Sequence, residues 1–125
     1  MNVFVQFRPL LHQVDGHRKG AGVIIERMYV GALEIEIHLP ATGSLKAKRS
    51  VVRHLIETAR QRYGVSASEV SHHDRWQRAG LGFSVVAPSA GHAQHLLEQV
   101  ERFVWSHPEL EVISVDRHWV ETREG

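Results

Sequence analysis

The stretch Ser44–Gly64, SLKAKRSVVRHLIETARQRYG, constrains the fold of this chain more than any other part of it. Wound as an α-helix, it puts Leu45, Val51, Val52, Leu55, Ile56 and Ala59 on one broad side, the pattern of a helix packed against a core. Lys46, Arg49, Arg53 and Arg60 fall together on another side, with Glu57 the only acid among them. Ser44 is placed as the N-cap, its hydroxyl taking a free N–H of the first turn. Gly64 stands where a left-handed residue closes a helix. The first turn or so breaks a rule, because Lys46, Lys48 and Arg49 set cations against the positive end of the helix dipole. Each such cation costs about 0.3–1 kcal/mol. Free N–H groups beside three cations are the makings of an anion or phosphate site.

A two-faced helix needs a sheet or a second helix to cover, and the flanking sequence offers both. Tyr29–Leu39 alternates, with Leu33, Ile35, Ile37 and Leu39 on one face and Glu34, Glu36 and His38 on the other, as in a strand buried on one side. Pro40 to Gly43 turns the chain into the helix. Val65–His72 reads as a more polar edge strand and Ala79–Ala87 as a third strand, with Leu81, Phe83, Val85 and Ala87 facing one way. Ser89–His107 repeats the helical pattern through Ala93, Leu96, Leu97, Val100, Phe103 and Val104, and Pro108 ends it. Leu110–Val120 is the final strand, with Ile113, Val115 and Trp119 expected inward and Ser114, Asp116 and His118 outward. Strand, helix, strand, strand, helix, strand with right-handed crossovers gives an α+β class fold. The arrangement is a ferredoxin-like βαββαβ sandwich, a four-stranded antiparallel sheet with both helices on one face.

Residues 1–27 differ from the rest, with Pro9, Gly16, Gly20 and Gly22 and no sustained periodicity. They are expected to form a poorly ordered extension with a short strand in Val3–Phe7, followed by a folded domain at 28–121 and a tail at 122–125. Met28 directly precedes the first convincing strand and is the expected start of the natural chain. Mass spectrometry showing an N-terminus at Met1 would refute that expectation.

Composition excludes several classes of function. Cysteine is absent, which removes disulfides and thiolate metal sites and suits a reducing cytoplasm. No apolar run nears the roughly eighteen residues of a membrane helix, and the N-terminus has no signal-peptide core. The expected localisation is therefore cytoplasmic, with no membrane partner. The net charge of +1 is far from that of a strongly basic nucleic-acid binder, yet Ser44–Arg62 holds six Lys or Arg against one Glu. One face of the molecule is then suited to docking on an anion.

An RNA-recognition motif needs aromatic side chains on the open sheet face. Here that face offers Gly80, Gly82, Ser84, Glu34, Glu36 and His38, so this mode is rejected. Any nucleic acid must instead meet the basic helix, through Ser44, Lys46, Lys48, Arg49, Arg53 and Arg60, by phosphates more than bases. Lys48 falls towards the apolar side and is expected to snorkel out along the sheet edge, the alternative being a carboxylate of the sheet or a bound anion. Between the second and third strands, His72, Asp74, Arg75, Trp76, Gln77 and Arg78 read as a protruding hairpin that contacts a partner. A Trp76 folded back over the sheet edge, with His72 capping the hairpin, is the equal alternative. Ten histidines invite a metal, and two sets are candidates: His92, His95 and Glu98 on the second helix, and Glu36, His38, Asp116 and His118 on the sheet. Neither is a closed ligand pattern, so no metal and no cofactor is expected. His72 and Asp74 lack a nucleophile to serve, so no catalytic residue is assigned and the chain is not expected to be an enzyme.

Two motifs carry a family resemblance: Ser44-Leu45-Lys46-x-Lys48-Arg49-Ser50 and Glu69-Val70-x-His72-x-Asp74-x-Trp76-Gln77-Arg78-Ala79. With the Gly31-x-Leu33-Glu34 opening and the Asp116–Trp119 ending, they make the chain from Met28 to Val120 resemble the small bacterial YlxP-like family, a domain of unknown function. Ala47 and Gly80 depart from the acids frequent at those places. The resemblance implies a ferredoxin-like fold and a gene often beside those for translation initiation factor two and ribosome-binding factor A. It implies no catalytic residues. The leading expectation is thus a non-enzymatic accessory factor of translation or ribosome assembly, with ribosomal RNA or a ribonucleoprotein as partner. A self-associating homodimer module and a small-anion or nucleotide sensor are the rivals.

Overall fold

The computed structural model describes residues 2–6 and 28–121. The described elements are β1 (Asn2–Gln6), β2 (Tyr29–His38), α1 (Leu45–Tyr63), β3 (Ser66–Ser71), β4 (Arg78–Ala87), α2 (Ala90–Trp105) and β5 (Glu111–Glu121). They build one sheet in the order β1-β5-β2-β4-β3. Strand β2 pairs antiparallel with β4 and β5, and β3 pairs antiparallel with β4. From β2 onward this is the ferredoxin-like βαββαβ order read from the periodicity. Beyond it, β1 runs parallel to β5, from Asn2 opposite Arg117 to Gln6 opposite Glu121. The short strand expected in Val3–Phe7 is thus placed at Asn2–Gln6. The rest of the expected extension, and the tail, lie outside the described residues.

The helices start and stop where their end chemistry dictates. Ser44 is extended, and its Oγ accepts from the Ala47 N–H at 3.0 Å. Ser89 does the same for α2, accepting from His92 N–H at 3.2 Å. Gly64 takes φ 67°, which a side chain would resist, and its N–H closes onto the Arg60 carbonyl. Val52, Leu55 and Ala59 of α1 and Ala93, Leu97, Val100, Phe103 and Val104 of α2 are buried against Leu33, Ile35, Ile37, Leu81 and Phe83 of the sheet. Each fully buried Val, Leu or Phe contributes about 1.5–3 kcal/mol, so the two helix arcs hold the layers together.

One inward assignment fails. The β2–β5 register slips between Glu36 and Ile37, which face Ser114 and Val112, so Ile113 is the extra residue of a bulge and is 44% exposed. A bulge shifts side-chain alternation by one, and strict period-two reading cannot foresee it. Val115 and Trp119 do pack inward, against the core.

Candidate functional site

The site grows from the end of β3. Glu69 pairs with Leu81 and Ser71 with Gly80, leaving Val70 as a bulge, and His72 then adopts φ 61° in the left-handed region. This pair of irregularities carries the chain over the sheet edge. The His72 side chain lands on the open face, where Nε2–H donates to Glu36 Oε1 at 3.1 Å. Its carbonyl lands on the helix face, where Lys48 Nζ donates to it at 2.6 Å.

Lys48 does not snorkel. It has no exposed surface, its Nζ lies 2.6 Å from Glu69 Oε2, and it also reaches the His73 carbonyl at 3.4 Å. Glu69 Oε2 is itself buried and has no directed hydrogen bond, so this contact is ionic. The alternative carboxylate partner is the one observed, and Lys48 is no part of the exposed basic face. A lysine buried without such partners would cost several kcal/mol, and the Glu69 carboxylate with two carbonyls offsets that cost.

Further bonds fix the hairpin between β3 and β4. His73 Nε2–H donates to the Glu69 carbonyl at 3.1 Å and Arg75 N–H to the His72 carbonyl at 3.1 Å. Leu39 N–H donates to the Gln77 carbonyl at 2.9 Å, and Gln77 Nε2 donates to the carbonyls of Pro40 and Thr42 at 3.2 and 3.4 Å. The hairpin is therefore fastened both to the β2–α1 loop and to α1 itself. On the open face Arg78 pairs with Glu36, and the His72 hydrogen bond holds the Glu36 carboxyl below its ordinary value of 4.5. Partial desolvation opposes that shift and the Arg78 charge reinforces it.

Other predicted site residues divide into two sets. Arg60 Nη2 donates to the Ala67 carbonyl at 2.6 Å and so braces the edge strand. Ser44 is engaged as the cap. By contrast Lys46, Arg49, Arg53 and Arg75 are exposed and have no ion-pair or side-chain hydrogen-bond partner among the described residues. Trp76 is 53% exposed and does not fold back over the edge. With His38, Asp74, Arg75, Gln77 and Arg78 it lines an open hollow of about 480 Å³. Because Lys48 touches the hairpin backbone, the first turns of α1 and the Trp76 loop share one end of the molecule. Trp76 and Arg75 sit on that hairpin, while Arg49 and Arg53 line a separate hollow with Glu57, Arg60, Ser68 and Glu69.

The histidines of the open face are engaged by carboxylates. His38 Nδ1–H donates to Glu111 Oε1 at 2.8 Å, and His118 Nε2 lies 2.9 Å from Glu34 Oε1. Among the described residues no group of three or more His, Asp or Glu is placed to hold a metal ion. Sequence reading missed Glu36 and Glu69 as the partners that organise the hairpin. A signal existed: Ala67 and Glu69 share the inward face of β3, just after buried Val65 and opposite a helix whose Lys48 also points inward.

Comparison with known proteins bears on the same region. A family described as a protein of unknown function, DUF503, matches residues 30–117, which include α1 and the hairpin. The chain belongs to the DUF503 family. This DUF503 chain is also 32% identical over 90 residues to the uncharacterized protein YlxP of Bacillus subtilis (strain 168), covering 72% of the chain and 98% of that relative. Among the described residues of this DUF503 chain, no helix is long and apolar enough to cross a membrane.

Proposed function

We propose that this DUF503 protein is a non-enzymatic, cytoplasmic accessory factor of translation or ribosome assembly that binds RNA or a ribonucleoprotein. The observation that carries this reading is an exposed Trp76 on a hairpin that Lys48 ties to the basic helix α1. Lys46, Arg49, Arg53 and Arg75 have no side-chain partner among the described residues to give up to a phosphate. The exposed Trp76 indole beside Arg75 adds a stacking platform. The hairpin is fastened before any ligand arrives, which lowers the ordering cost of binding. The acidic open face would repel phosphate and so orient the encounter.

Binding of the full chain to ribosomal subunits and total RNA across a salt series tests this. The logarithm of affinity should fall with that of salt by about 0.7 for each phosphate neutralised on a single strand. Changing Lys46, Arg49 and Arg53 to Gln should weaken binding at every salt concentration and flatten the slope. A salt-independent affinity, or one untouched by the triple change, would overturn the proposal.

A further inference from the structure

We infer that the hollow beside Trp76 is a base-specific subsite that takes one unpaired guanine of a single strand. This rests on the nucleic-acid reading above and adds what that reading leaves open, the identity of a base. The hollow is open to solvent and, at about 480 Å³, has room for one base, with Trp76 as an aromatic wall.

Specificity follows from which polar atoms remain free. Arg78 gives one Nη1 proton to Glu36 and keeps its other guanidinium N–H groups. Both hydrogen bonds of the Gln77 amide nitrogen go to the backbone of the β2–α1 loop, so only its Oε1 is left to face a ligand, as an acceptor. His38 bonds to Glu111 through Nδ1, which leaves Nε2 as its ring atom open to a ligand. Asp74 has no hydrogen-bond partner among the described residues, and neither has the Arg75 guanidinium. The hollow therefore sets the Asp74 carboxylate and Gln77 Oε1 as acceptors beside guanidinium N–H donors of Arg75 and Arg78.

Guanine is the base that complements this set. Its Watson–Crick edge carries two adjacent donors, N1–H and the N2 amino group, which a carboxylate can receive together. Its O6 and N7 are acceptors suited to a guanidinium. On the same edge adenine and cytosine set a ring acceptor beside their single amino group, and uracil flanks one N–H with two carbonyls. Each of those would bring an acceptor against the Asp74 carboxylate. Reading an unpaired base by stacking and by its Watson–Crick edge is the usual way sequence is recognised in RNA.

The test titrates the full chain with an oligouridylate carrying one central guanine, and with the same strand bearing adenine, cytosine or uracil there. The guanine strand should bind about tenfold more tightly than the other three. Asp74→Asn should abolish that preference. Trp76→Ala should weaken the guanine strand about fivefold or more, and Trp76→Phe should restore much of the loss. Both side chains are exposed, and matching circular dichroism would show that the variants fold. Equal affinity for all four strands would overturn the guanine subsite and leave RNA binding standing. Failure of every strand and of total RNA to bind would overturn both.

Discussion

Lys48 decides more of this structure than any other single side chain. It carries a charge into a place with no exposed surface and there holds Glu69 and the carbonyls of His72 and His73. Lys48→Met keeps the volume but leaves a largely buried carboxylate and a turn carbonyl without their donor. The expected loss is about 3–5 kcal/mol. Adding Glu69→Leu should return much of it, because an apolar pair of similar size is often as stable as a buried ion pair. Urea unfolding of the two variants measures both effects. A single variant as stable as the parent would show that the ion pair does not anchor the hairpin. This pair was half legible from sequence. The helical wheel put Lys48 on the apolar side and left a carboxylate of the sheet as one possible partner, without pointing to Glu69. The carbonyls that complete the cage depend on His72 adopting a left-handed backbone, which no residue pattern announces for a histidine.

At the scale of elements, periodicity located the strands and helices of the βαββαβ unit, because each has one apolar face and a capping serine or glycine marks the helix ends. It failed where a strand breaks its own rhythm. Ile113 left the core through one bulge, and Val70 became the extra residue of another. That second bulge places Ser71 over β4 so closely that a Cβ on Gly80 would lie 1.9 Å from Ser71 Oγ. A missing side chain on β4 is thus what lets the end of β3 cross the edge and deliver His72 to Glu36. Gly80→Ala should overpack this crossing and destabilise the protein by about 1–3 kcal/mol. The double change with Ser71→Gly should be less destabilised than the single one in thermal melts. Equal melting temperatures for parent and Gly80→Ala would show that the crossing yields freely. The same reasoning explains why the candidate site was only partly foreseen. Its residue types were visible in two motifs, but their meeting depends on a bulge, a left-handed turn and a lysine that bonds to backbone.

Across the whole molecule, function and fold occupy different sides. The layer between sheet and helices is apolar and closed, cations gather at one end, and carboxylates with their histidines line the open face. The two margins of the sheet are closed by different means. Along β3 the carbonyls of Ala67 and Glu69 accept from Arg60 and His73, which leaves little for another strand to pair with. Along β5 the closure is β1 itself. Deleting residues 1–27 should therefore raise the apparent mass of the protein at high concentration in light scattering, while the full chain stays monomeric. Identical behaviour of both chains would show that β1 is not what protects that margin. The choice of first methionine then decides more than length. Begun at Met28, the molecule presents a bare ladder of N–H and C=O groups that any extended peptide, its own twin included, can lengthen. Begun at Met1, that ladder arrives already occupied.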